Sequence, residues 1–503
     1  VFKHNLTREV AYETLPKARR RELHGMAVDW IERTAGDRVE ESLELLAHHA
    51  DQAGRSEQAL EYLVRTADRA GRTAAPQEQA TLLARAIRIA EQLGRAELLP
   101  SLRSRRGRAL CNMGAPAEAR EEFETVLLDL PDEEAAERAA LMVELAGVWR
   151  WLGDTAALHK YASNALALAE QQGRDDLAAA ALAAMASGES SQGRLAKSLE
   201  LYRTAYDRTS EIRLPSLVQG LEQRQMILYW LGRSAEAIEA GTQAVRVARE
   251  VGDVTTVVRA LSALGLAYGS NGRYADALQS FGEARQACEQ HGLGIWLART
   301  LAMAGGLHLD IGDLEEAEAL AEQARAAGRV HRFEESLASS GIDLLFNYAR
   351  RGELGATDAL AEEVDAKVRR ASGVHGWLWR MRFTQALAEL HLARQEWEQA
   401  MHGASTAIER SRAHGRVKYE VLGLITRAQA LAATGNQARA LMDARAGAER
   451  AASVGDPALE RRAFTALVML GDGHAAPRAD QAARRVGLAL PEDLRRRLER
   501  QAE

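Results

Sequence analysis

The chain is 503 residues long, 47% hydrophobic yet only 5% aromatic, with nine prolines and a formal net charge of −6. That length exceeds what one compact core serves, and the proline-poor, alanine-rich composition suits helices better than sheets. The acidic balance disfavours nucleic acid as the main partner. Cys111 and Cys288 are too few for a disulfide framework or a thiolate zinc site, and no run approaches 18 consecutive apolar residues. No membrane span is therefore expected, and a cytoplasmic location is the default.

In chain order, residues 1–35 stand outside any repeat. They open on Val1 within a helical pattern, as a fragment of a longer protein would, and carry the basic run Lys17-Ala-Arg-Arg-Arg21. A solvated helix face is the plain reading of that run. The pair His48-His49 follows; adjacent histidines point about 100° apart on a helix, so no shared metal ion is expected. From Gly114 onward a glycine-marked turn recurs every 39 or 40 residues, at Gly114, Gly153, Gly193, Gly232, Gly272, Gly312, Gly352 and Gly435, with Gln395 in the wide gap before the last. A second series lies about halfway between, at Gly94, Gly173, Gly252, Gly292, Gly415 and Gly455. Glycine fits the left-handed position just past a helix end, and Asp253 and Asp456 are placed to cap the helices that follow. A fixed period of this length predicts an all-α, right-handed superhelical solenoid of antiparallel hairpins over residues 36–470, with about 10 to 11 hairpins. The period stumbles near 373–395, around Gly373, Trp377 and Trp379. Residues 471–503 leave it, and Leu490–Leu498 reads as a polar capping helix. Ser187, Gly188 and Gly193 are expected to loosen one hairpin.

One unit resembles the tetratricopeptide family closely, through Leu261, Leu264, Gly265, Tyr268, Gly272, Tyr274, Ala277, Phe281 and Ala284. The family's usual period is 34, so a longer-helix variant is implied, of the kind found in the C-terminal arrays of large bacterial signalling ATPases and transcription activators. The stretch Phe2–His24 and the segment Leu45-Leu-Ala-His-His-Ala50 resemble the junction between a winged-helix region and such an array in signal-transduction ATPases with numerous domains (STAND). The resemblance implies that residues 1–35 end an ATPase junction and that an upstream ATPase of the same polypeptide is the regulated partner. This chain itself has no GxxxxGK[ST], so no triphosphate cradle and no enzyme activity are expected.

The family's geometry puts the first helix of each hairpin on the concave groove, at about 13, 10, 6, 3 and 2 residues before the turn. That register selects Arg150, Trp151, Met226, Tyr229, Trp230, Arg259, Arg299, Phe346 and Arg382 as groove candidates, and assigns Trp149, Tyr268 and Tyr348 to the core. Aromatics beside spaced arginines suit an acidic or extended peptide, a protein, or a small nucleotide-like effector. Packing between repeats is the competing reading for Trp151, Tyr229 and Trp230; as groove residues, Tyr229 and Trp230 would tolerate alanine without loss of stability. No catalytic, metal or cofactor residues are expected. The functional expectation is an interaction and effector-sensing module, with a passive scaffold or oligomerisation platform as the alternative.

Overall fold

The computed structural model describes residues 12–73, 75–209, 212–355, 357–370 and 375–502. The first ten residues of the junction motif, and Gly373, lie outside them. Two compact units divide at Leu141 and Met142, inside the stretch expected to form one array.

Among the described residues the regular elements are all helices. The first unit holds α1 (Lys17–Ala35), α2 (Leu43–Ala53), α3 (Ser56–Arg72), α4 (Pro76–Gln92), α5 (Leu99–Asn112) and α6 (Pro116–Asp129). Val28 and Ile31 of α1 share one core with Leu43, Leu46, Leu63 and Leu83. The run Lys17–Arg21 is solvated, as read from the sequence.

Helix α7 (Ala135–Leu152) leads into the second unit. There follow α8 (Thr155–Gln171), α9 (Asp175–Ser191), α10 (Leu195–Arg208), α11 (Pro215–Trp230), α12 (Ser234–Glu250), α13 (Val254–Ser270), α14 (Tyr274–His291) and α15 (Gly294–Ile311). The array continues with α16 (Leu314–Val330), α17 (Glu334–Arg351), α18 (Thr357–Arg370), α19 (Gly376–Ala393), α20 (Trp397–His414), α21 (Val417–Ala433), α22 (Gln437–Val454) and α23 (Pro457–Met469). The tail forms α24 (Ala476–Ala489) and α25 (Glu492–Ala502). Odd-numbered helices from α9 to α23 pack on their chain neighbours and on the next odd helix. They form the inner layer, and even-numbered helices the outer one. Polar side chains tie the inner layer one unit at a time: Ser262 and Thr300 at 2.9 Å, Ser336 to the Ala298 carbonyl at 3.2 Å, and Gln385 to Thr426 at 2.9 Å.

The turn glycines take the left-handed conformation that the period implied, with φ of 73° to 91° in the first series and 62° to 75° in the second. At Gly232 the amide of the next residue, Arg233, bonds the Leu228 carbonyl at 2.9 Å and closes the helix end. Asp253 and Asp456 accept from backbone amides at the starts of α13 and α23, as expected of caps. Where the period lacks a glycine the backbone keeps its conformation: Gln395, Arg332 and His375 have φ of 62°, 52° and 61°.

Unit 2 also closes on itself, which the repeat alone did not announce. The Trp377 indole N–H donates to the Ser190 carbonyl at 3.1 Å, Arg416 to the Trp230 carbonyl at 3.2 Å, and Arg461 to the Ile311 carbonyl at 2.7 Å. Each acceptor lies in the last turn of an inner helix, where the helix dipole favours a cation; the Ser190 carbonyl also accepts from the Gly193 amide at 2.9 Å. The turn glycines are the closest points of approach: a Cβ on Gly232 would lie 2.7 Å from Val454, and one on Gly272 2.9 Å from Pro457. The tail joins the same closure. Val486, Leu490 and Leu494 enter a core with Tyr274, Phe281 and Leu301, and Arg497 pairs with Asp313. Gly188 and Gly193 do not loosen their hairpin. A Cβ on Gly188 would meet Leu158 at 2.7 Å, and one on Gly193 would meet His414 at 2.4 Å, so both are sites of tight packing.

Two substitutions test these points. Gln395→Gly removes left-handed strain at an exposed position and should stabilise the chain by about 1 kcal/mol in denaturant titration. Gly232→Ala and Gly252→Ala start from the same φ of 75°, but only the first meets a neighbour. Gly232→Ala should cost about 1–3 kcal/mol more, which is the overpacking against Val454.

Candidate functional site

Each inner helix presents its last turns to the interior of the closed unit, so residues six, three and two before a turn glycine converge there. All nine groove candidates line one or other of two adjoining cavities. The smaller is lined by Arg150, Trp151, Met226, Trp230, Arg259 and Arg299, and the larger by Met226, Tyr229, Trp230, Arg299, Phe346 and Arg382. With their solvent mouths included they enclose about 350 and about 770 Å³. His375 lines both.

The aromatics divide differently from the register's forecast. Trp230, Tyr229, Phe346 and Met226 are buried, Trp230 to 5% exposure, while Trp149, Tyr268 and Tyr348 are only half-buried. The closing helices cover the groove and bury its lining. Trp230 meets the His375 ring at 4.7 Å and the Trp377 ring at 5.5 Å, both edge-on. Alanine at Trp230 would therefore empty a packed site and cost about 3–5 kcal/mol, contrary to the tolerance expected from an open groove.

The electrostatics follow from the same burial. Seven cations line the two cavities against four carboxylates, in a chain whose net charge is −6. Most are partnered. Arg259 pairs with Glu222, with Arg299 at 3.8 Å from the same carboxylate; Arg382 holds Asp343 at 2.5 Å, and Lys418 pairs with Asp310. Arg350 reaches Glu389 at 3.2 Å and Arg462 reaches it at 2.8 Å; burial pushes this carboxyl up, but the two guanidiniums outweigh it and hold it at about 2. Arg150 differs: it forms no hydrogen bond or ion pair among the described residues and lies over the Trp151 ring at 4.8 Å. Burial, helped by nearby Arg259, lowers its pKa to about 10, so it remains charged at neutral pH. Burial and the surrounding arginines push His375 well below its ordinary value, leaving it neutral.

Glu222 sits ten residues before Gly232, a groove position of the register that the named candidates left out; Trp296, His375, Arg416 and Tyr419 fall outside the register. Arg259 and Arg299 lie over the Trp296 ring at 5.2 and 5.8 Å, and Arg416 over Tyr229 at 4.9 Å. Trp296, one turn before Arg299, was findable as an i, i+3 neighbour. Arg416 and Tyr419 were not, because they arrive through closure at the start of α21.

In unit 1, His24, His48 and His49 bring ring nitrogens within 4.8 Å of one another. The sequence sets only His48 and His49 side by side; the third ring, His24, comes from α1. Its nitrogens bond the Tyr12 hydroxyl at 2.9 Å and His49 Nδ1 at 2.7 Å, which makes the group a hydrogen-bond relay between α1 and α2. Burial and neighbouring imidazoles lower the pKa values of His24 and His49. Below the unfolded value of about 6.5 the unfolded chain then binds more protons than the folded one, so stability falls with falling pH. Protection factors of the amides at residues 43–53, that is, exchange corrected for its intrinsic pH dependence, should fall from pH about 7.5 to about 5.5, and His24→Asn should flatten that dependence.

The tetratricopeptide repeat family model matches residues 226–290 and 256–329. These residues carry tetratricopeptide repeats. No curated protein sequence matches the chain. Among solved structures, a Rap protein complexed with Competence and Sporulation Factor is similar at 12% identity and a TM-score of 0.50, over 75% of this chain and 99% of that one. Yeast Tom70 has 11% identity and a TM-score of 0.38, covering 88% and 99% of the two chains. A STAND protein with a tetratricopeptide repeat sensor from Pyrococcus horikoshii has 12% identity and a TM-score of 0.35, covering 81% and 54%. At such identities the likeness is one of fold: an all-α solenoid of helical hairpins. No helix among the described residues is long and apolar enough to cross a membrane.

Proposed function

We propose that this chain is a non-catalytic sensing module, whose second unit takes a protein, peptide or small effector at the inner face of its repeats. The observation that carries the reading is the convergence of nine register-selected residues on two cavities inside a closed array. Closure joins distant helices through bonds to the carbonyls of Ser190, Trp230 and Ile311, the Lys418–Asp310 and Arg497–Asp313 pairs and the packing of the tail. A ligand that touches α7 and α11 as well as α19 and α21 gains contacts only in the closed state, so its binding energy biases closure. The resemblance of residues 2–24 to a STAND junction supports an upstream signalling ATPase as the regulated partner and a cytoplasmic setting. The Rap protein's complex with Competence and Sporulation Factor supports, by analogy of fold, an effector held by such an array.

A passive scaffold is the contrasting reading, and light scattering separates the two. A sensor should stay monomeric over a wide concentration range without added ligand, whereas self-association of the purified 503-residue chain would favour the scaffold. Arg416→Ala, which removes the bond to the Trp230 carbonyl, should at least double hydrogen exchange at residues 227–232 without unfolding the chain; unchanged exchange would remove closure as the sensing element.

A further inference from the structure

Arg150 stands out within the closed unit. A buried cation without a hydrogen bond or ion pair is costly, and native interiors supply a partner or neutralise the group. Arg150 is 7% exposed and still charged, yet its guanidinium finds only the face of Trp151. Two carboxylates act on it from nearby: Glu222 is already taken by Arg259, with Arg299 beside it, and Glu335 forms no ion pair with it. Arg259 Nε and His375 Nδ1 are buried without hydrogen-bond partners, whereas the Arg150 nitrogens, unpaired among the described residues, keep access to solvent at the smaller cavity. Three guanidiniums therefore stand against one carboxylate at the wall of the smaller cavity, with a neutral imidazole and two indoles around them. The larger cavity continues from this point past Tyr229, Phe346 and Tyr419.

We propose that Arg150, Arg259 and Arg299 hold the anionic group of a small organic ligand, a carboxylate or phosphate, whose aromatic or apolar body lies in the adjoining larger cavity. This rests on the sensing reading above and narrows it. Guanidiniums bind such groups through paired, charge-assisted hydrogen bonds, and the low-dielectric site strengthens them. Size selects against an extended peptide: eight residues span about 27 Å, whereas the chamber among Tyr229, Trp230 and Phe346, with Arg416 on its wall, leaves room only for a compact group. The anion supplies Arg150 with its missing partner, and because α7, α13 and α15 carry the arginines while α19 adds His375, occupancy strengthens closure.

Thermal unfolding of the whole chain tests this with inorganic phosphate and benzoate, each against chloride at equal ionic strength. At millimolar concentrations at least one anion should raise the Tm of the wild type by about 2 °C or more. Arg150→Met should unfold at a higher temperature than wild type in chloride, because an unpaired buried charge is gone, and should lose the anion response. Arg299→Gln, closer to solvent, should cut that response at least threefold and serves the same purpose if Arg150→Met folds poorly. A shift with phosphate alone assigns a phosphate ligand, with benzoate alone a carboxylate, and with both a reading of charge. The proposal is overturned if neither anion shifts the wild type, or if both variants keep its full response. That failure would leave Arg150 a packing residue and would not touch the light-scattering result, which decides between sensor and scaffold.

Discussion

The second unit depends on one interaction: side-chain donors from distant helices reach last-turn carbonyls of its inner helices, beside the glycine turns that satisfy the other carbonyls locally. A solenoid that stayed open would lose those distant bonds. Here Trp377 and Arg416 reach carbonyls 187 and 186 residues earlier in the chain, and Arg461 reaches one 150 residues earlier. Such bonds form only where backbones approach closely, and turn glycines permit that approach because they carry no Cβ. The glycine that ends a helix locally is thus the one that lets a distant helix dock. Local turn chemistry and long-range closure share the same atoms.

Closure then governs the chemistry inside. It buries arginines that a free groove would expose to water, so each needs a carboxylate, a ring or a ligand. Most are satisfied within the protein, in pairs one repeat apart such as Arg259 with Glu222 and Arg382 with Asp343. Arg150 is left with an indole. His375 adds to the picture, since it holds a left-handed backbone where the second glycine series would place glycine and puts a neutral ring against Trp230. Arg332 and Gln395 hold the same backbone at exposed turns, so what sets His375 apart is its place at the cavity wall.

The site was legible in the sequence to the extent that it follows from the period. Arg150, Met226, Trp230 and Arg299 were selected because residues at fixed distances from a turn glycine share one face of a helix, and helices stacked at one period share one groove. Tyr268 and Tyr348 were placed in the core by the same rule, yet remain half-buried. Their surroundings are local, whereas the groove is covered by another part of the array. Arg416, Tyr419 and His375 could not be read from any single unit, because their relevance depends on which distant repeat they meet.

The sequence by itself determined the helices, their ends and the stacking order. Each of these is set by interactions within one or two repeats: alanine-rich helical segments, left-handed glycines at the turns, and Asp253 and Asp456 as caps. Tertiary structure alone decided that the second unit closes, which side chains seal it, and that the tail packs against α14 and its neighbours instead of merely ending the array. Those outcomes depend on the small rotation between successive hairpins. Such rotations are weakly encoded at each step and accumulate over many repeats, so only the assembled array shows which residues finally meet.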